Sequence, residues 1–119
     1  MRANFQEVKY ALTMVSIEEF TNMALALPGA EEKRHFHLAS FRTKNKIFAT
    51  LWENENRVML KLSLVSQSVF CAFDKTIFFP VPGGWGAKGA TFVDLSKVKK
   101  AMLKDALKTA YKELTDKKK

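Results

Sequence analysis

The chain contains a single cysteine, Cys71, among its 119 residues. An intramolecular disulfide and a cysteine-rich zinc site are thereby excluded, and the composition fits a reducing, cytoplasmic setting. Three prolines and five glycines leave no collagen-like or low-complexity tract. Residues 1–13 (MRANFQEVKYALT) hold no apolar run long enough for a signal peptide. Nowhere do about 18 uncharged apolar residues follow one another, so no membrane span is expected. What is present is 47% apolar and 27% charged residues, enough for one hydrophobic core and too apolar for a disordered chain. Residues 16–119 read as a single domain and residues 1–15 as an N-terminal extension, in which Phe5, Val8, Ala11 and Leu12 also fit a helical period.

Acids do not balance bases: the net charge is +8. Residues 1–95 carry 11 Lys+Arg against 9 acids, whereas residues 96–119 carry 9 lysines against 3 acids, so +6 of the +8 falls in the last fifth of the chain. On a helix, Lys97, Lys100, Lys104, Lys108 and Lys112 share one arc, opposite Leu95, Val98, Leu103, Ala106, Leu107 and Ala110. Such a stripe serves either as a solvated face or as a phosphate contact. With no arginine in the segment, it would hold nucleic-acid backbone without reading bases.

Ser16, followed by Glu18 and Glu19 and then by Phe20, Met23, Ala24 and Leu27 at helical spacing, predicts an N-capped helix ending at Pro28-Gly29. From Lys33 the pattern turns to period two. His35 to His37, Ser40 to Thr43, Ile47 to Glu53 and Arg57 to Leu62 read as β segments, the last three forming an antiparallel meander around the polar turns at 44–46 and 54–56. A short helix over 63–74, a strand over 77–81, a strand over 91–95 and a terminal helix capped by Ser96 complete the reading. The fold class is α+β: an antiparallel sheet with the N- and C-terminal helices packed on one face.

Candidate chemistry is sparse. The letters Gly84-x-Gly86-x-x-Gly89 match a dinucleotide fingerprint, but that motif needs a helix after its last glycine and here a strand follows. The segment reads as a structural turn or as a ligand-contacting loop led by Trp85 and Lys88. His35 and His37, two apart on a strand, would share a face, yet two histidines alone do not make a zinc site. Cys71 reads as an inert thiol. Trp52, Phe36, Phe41 and Phe48 alternate as core or as a stacking platform. No nucleophile, base and carboxylate are placed together by spacing, so no enzyme, cofactor or metal is expected.

The run Leu27-Pro28-Gly29-Ala30-Glu31-Glu32, then His35, Ser40-Phe41-Arg42, Lys46-Ile47-Phe48-Ala49-Thr50-Leu51, Leu60-Lys61-Leu62, Phe79-Pro80-Val81-Pro82 ahead of Trp85-Gly86, Asp94-Leu95 and Ala110-Tyr111 resembles the MmcQ/YjbR family of small bacterial proteins. The resemblance covers about Ser16 to Leu114. It implies a CyaY-like (frataxin-like) sandwich and a double-wing DNA-binding role. Arg42, Lys46 and Lys61 carry over as phosphate contacts, although Lys61 could equally pair with a carboxylate at the sheet surface. Ala90 stands where the family pattern has tryptophan. The iron held on an acidic helix face by frataxin-like proteins does not carry over to this basic helix. The first reading is a non-enzymatic, low-specificity DNA-binding or regulatory protein that touches backbone phosphates. The alternative is a small-ligand or protein interaction domain with a pocket near the glycine-rich loop.

Overall fold

The structure, a computed structural model, describes residues 14–116. The helical period at Phe5–Leu12 and the lysines at 117–119 lie outside them. Val15 is fully buried and its N–H donates to Leu95 O at 3.1 Å, so the folded unit reaches back to that residue.

Helix α1 (Ile17–Leu25) begins where the sequence places it. The Glu19 N–H donates to Ser16 Oγ and the Ser16 N–H to Glu19 Oε1, each at 3.0 Å, a reciprocal cap that satisfies two otherwise orphaned donors. Gly29, at φ 75, then reverses the chain into β1 (Glu31–His35). Strands β2 (Leu38–Thr43), β3 (Lys46–Trp52) and β4 (Arg57–Lys61) follow, each antiparallel to the one before. Lys44 and Asn45 both take positive φ, which makes the β2–β3 connection a two-residue turn that matches strand twist. A 3-10 turn at Glu53–Glu55 and Asn56 at φ 55 join β3 to β4. Helix α2 (Leu64–Phe73), strand β5 (Phe78–Pro80), the four-residue helix α3 (Gly84–Ala87), strand β6 (Ala90–Asp94) and helix α4 (Lys100–Thr115) complete the described chain. The sheet order is β1-β2-β3-β4-β6-β5, antiparallel at every pairing.

Alternation along the strands separates two layers. On one face Phe41, Phe48, Val58, Leu60, Phe78 and Val93 meet Phe20 and Ala24 of α1, Phe70 of α2, and Leu103, Ala106, Leu107 and Ala110 of α4 in the main core. A bulge at Phe48 turns both Phe48 and Ala49 toward Phe41 on this face. The other face holds a smaller cluster, Met59, Val81, Ala90 and Phe92, with Trp52 and Phe79 packed at its margin. The fold is thus α+β, with the long helices on one side of the sheet.

Three expectations change. His35 closes β1 but Phe36 and His37 form the turn into β2, with Phe36 at φ 60, so the two histidines do not share a strand face. The meander has four strands, because Glu31–His35 pairs fully with β2. Ser96 does not cap the terminal helix: its N–H and Oγ donate to Asp94 Oδ1 at 2.9 and 2.6 Å in an Asx turn, and α4 starts at Lys100.

Candidate nucleic-acid interface

The later start of α4 divides the lysine stripe. Lys97 lies in the turn before the helix. Lys100 Nζ sits 2.8 Å from Glu19 Oε2, and that ammonium, together with the Ser16 N–H, holds the Glu19 carboxyl below the usual carboxylate range. Lys104, Lys108 and Lys112 remain, exposed at i, i+4 and i+8 on consecutive turns, with no carboxylate at ion-pair distance among the described residues. Their apolar counterparts Leu103, Leu107 and Ala110 are buried against the sheet, which fixes the lysines on the outer side.

The cations expected from the strands lie elsewhere. Arg42 and Lys61 fall by register on the sheet face opposite the long helices, in the row Arg42–Ile47 and Lys61–Ala90. Arg42 Nε donates to Ser40 Oγ at 3.0 Å, and that hydroxyl donates to Lys33 O at 2.7 Å. Lys61 is exposed and has no carboxylate partner among the described residues. Lys46 is exposed beside the Lys44–Asn45 turn, opposite Thr43. Asn45 and Asn56 occupy opposite ends of the meander. The eight basic residues picked out from sequence therefore form an outer-helix group, a sheet-face group and two outliers, Lys46 and Lys97.

One residue of the sheet face escaped the sequence reading. Arg57 lies with its guanidinium 3.9 Å from the ring centre of Phe92 and 5.7 Å from that of Trp52. Its signal was the alternation Arg57, Met59, Lys61 against the buried Val58 and Leu60 on β4, which places a cation at each end of one strand face.

The glycine-rich segment is built into the fold. A Cβ at Gly86 would meet Val81 O at 1.7 Å, and one at Gly89, itself at φ +113, would meet Leu62 O at 1.9 Å. Buried Gln67 of α2 donates through Nε2 to Gly86 O at 3.0 Å and to Ala90 O at 3.1 Å. Trp85 and Lys88 project from this clamp into solvent. A shallow groove of about 420 Å³ opens elsewhere, between α1 and α4, with Met23, Leu27 and Leu107 as its floor and Asn22, Lys104 and Lys108 among its lining.

Among the described residues no three His, Cys, Asp or Glu side chains converge on a possible metal position. Burial pushes the Cys71 thiol up from its ordinary value, away from the reactive thiolate. Of the four aromatics considered for stacking, Phe41 and Phe48 are fully buried, Trp52 is half-buried on the opposite face, and Phe36 stands 81% exposed at the β1–β2 turn. No helix among the described residues is long and apolar enough to cross a membrane.

The YjbR family model matches residues 25–113, from the end of α1 to the last turns of α4. The chain belongs to the YjbR family. The matched span contains both basic groups and the glycine clamp. The crystal structure of Deinococcus radiodurans protein DR2400, assigned to the domain family DUF419, superposes with a TM-score of 0.75 over 87% of this chain and 81% of that one. At 18% identity the likeness is one of fold. No curated protein sequence matches the chain.

Proposed function

We propose that this YjbR-family protein is a non-enzymatic nucleic-acid-binding module that grips backbone phosphates through the outer face of α4 with little regard for sequence. The observation that supports this reading is the set Lys104, Lys108 and Lys112, exposed, aligned on one helix face and free of carboxylate partners among the described residues. Lysine supplies point charge without the planar fork that reads guanine edges, so contact with phosphates is the chemistry this face offers. Lys97 lies in the turn before the helix, and Lys100 is committed to Glu19. The test is retention of a duplex oligonucleotide across a salt titration, with the same duplex in scrambled sequence as control. Salt-sensitive, sequence-independent retention supports the reading. A chain that fails to retain duplex DNA at low ionic strength refutes it and leaves the lysines as a solubility device.

A further inference from the structure

The face of the sheet turned away from the long helices has a chemistry that the lysine helix lacks. Register places its residues in three rows across the strands: Trp52, Arg57 and Asp94; then Ser40, Thr50, Met59, Phe92 and Phe79; then Arg42, Ile47, Lys61 and Ala90. Cations and aromatic rings therefore share one continuous surface. Two acids share it, each beside an arginine, Glu31 being the cross-strand neighbour of Arg42. Asp94, the cross-strand neighbour of Arg57, accepts through Oδ1 from Ser96, and Glu31 lies 3.9 Å from Lys33.

Arg57 is the centre of this surface. Its guanidinium is stacked 3.9 Å over Phe92, and its Nε is buried without a hydrogen-bond partner. A buried donor left unpaired is costly, and native structures keep few of them. Nε itself is closed to solvent, so an incoming acceptor meets the terminal nitrogens of the half-buried side chain, and an oxyanion is the acceptor an arginine fork fits best. Trp52 is held edge-on to Phe92, with ring centres 5.1 Å apart, by that contact and by its Nε1–H on Thr50 Oγ1 at 2.9 Å. Phe79 lies on the other side of Phe92, with centres 5.9 Å apart. Trp52 and Phe79 are both half-buried, so part of each ring reaches solvent.

Phosphate beside aromatic rings is the signature of a nucleic acid whose bases are accessible. A duplex does not present its bases here. The major groove is about 12 Å wide and admits a helix or a two-stranded ribbon, whereas six strands at about 4.8 Å spacing span roughly 24 Å. Bases can reach these rings from a single strand only. We propose that the helix-free face binds single-stranded nucleic acid, with Arg57, Arg42 and Lys61 on phosphates and Trp52 and Phe79 against bases. This rests on the nucleic-acid reading above, and assigns single strands to a different surface from the one proposed for duplex backbone.

The experiment measures anisotropy of fluorescein-labelled 12-mers, single-stranded DNA, single-stranded RNA and the matching duplex, at low salt. It compares the wild type with Arg57→Gln, Trp52→Leu, Arg42→Gln/Lys61→Gln and Lys104→Gln/Lys108→Gln/Lys112→Gln. Circular dichroism melts check folding, and the Arg42→Gln/Lys61→Gln variant touches no core residue, so it reports on binding even where Trp52→Leu unfolds. The expected result is a five-fold or greater loss of single-strand affinity in the three sheet-face variants, with duplex affinity unchanged, and the reverse pattern in the helix variant. A preference for the DNA or the RNA strand identifies which source the face takes. Single strands lost only in the helix variant, or not bound at all while duplex is bound, overturn the sheet-face assignment and leave the duplex reading standing. No retention of any probe overturns both.

Discussion

Glu113, near the end of α4, caps the N-terminus of α2 by accepting the Ser63 N–H at 2.8 Å and the Ser63 hydroxyl at 2.9 Å, and it accepts the Ser66 hydroxyl as well. Ser63 caps the helix locally by accepting the Ser66 N–H at 3.1 Å, and Glu113, 50 residues away in sequence, takes the part a capping-box glutamate plays and locks two helices of the same layer together. Burial by itself raises the Glu113 carboxyl, but the donors from Ser66 and Ser63 outweigh it and the net effect is a value below the ordinary 4.5. Because the folded form is the stronger acid, the stabilisation is present above the unfolded-state value and is lost as pH falls through the depressed folded one. Glu113→Gln should lower stability at pH 7 by about 1 kcal/mol, and the partly solvated carboxylate keeps the figure modest. It should also flatten the acid limb below about pH 4.5. Thermal melts from pH 3 to 7 check both, and an unchanged acid limb would count against the cap.

The glycine segment separates into residues the fold requires and residues it leaves free. Gly86→Ala drives a Cβ into Val81 O and should fold poorly or lose well over 2 kcal/mol. Gln67→Leu removes one of two donors from Gly86 O and from Ala90 O, which keep the Gly89 N–H and the Val81 N–H, and should cost about 1 kcal/mol. Lys88→Ala, at an exposed position without an ion pair among the described residues, should stay within about 0.5 kcal/mol. Urea melts on the three variants order them, and a Lys88→Ala effect as large as that of Gly86→Ala would show that the turn was misassigned.

Much of this architecture was legible locally. Ser16 with Glu19, the polar pair Lys44–Asn45 and the alternation of Val58 and Leu60 each state their structure within a few residues. Errors arose where two local readings compete. Asp94 and Ser96 together make an Asx turn in which Ser96 is the donor, while the same serine two residues before a helical pattern reads as a cap. The turn at Phe36-His37 carries none of the glycine, asparagine or aspartate that marks positive φ. Arg57 was invisible for a different reason: its stack on Phe92 joins β4 to β6 across α2, β5 and α3, and that adjacency follows from strand order, not from sequence spacing.

Phe36 offers a backbone test. At φ 60 and 81% exposed, it holds a left-handed conformation that a side chain with a Cβ disfavours, and its visible compensation is the ring contact with His35 at 4.7 Å. Phe36→Gly should leave stability unchanged or raise it by about 0.5–1 kcal/mol, since the gain in allowed backbone offsets the entropy glycine adds to the unfolded chain. A loss above about 1 kcal/mol in chemical denaturation would mean that the exposed ring packs more firmly than its solvent exposure suggests.

The lysine face of α4 yields a number. Five stripe lysines read from sequence would predict a salt slope near −4.5 at about 0.9 per phosphate, but Lys97 has left the helix and Lys100 is paired with Glu19, so three remain. A plot of log K against log salt on duplex DNA should fall with a slope near −3 from this face alone. Lys104→Gln/Lys108→Gln/Lys112→Gln should remove most of that slope. Glutamine is nearly as good a helix former as lysine and all three positions are exposed, so the melting temperature should barely move. A slope that survives the triple substitution would assign the duplex contacts to Arg42, Lys46 or Lys61 on the sheet. A slope near −3.6 in the wild type would show that the Glu19–Lys100 pair opens to release a fourth cation, and Glu19→Gln should then change the slope little.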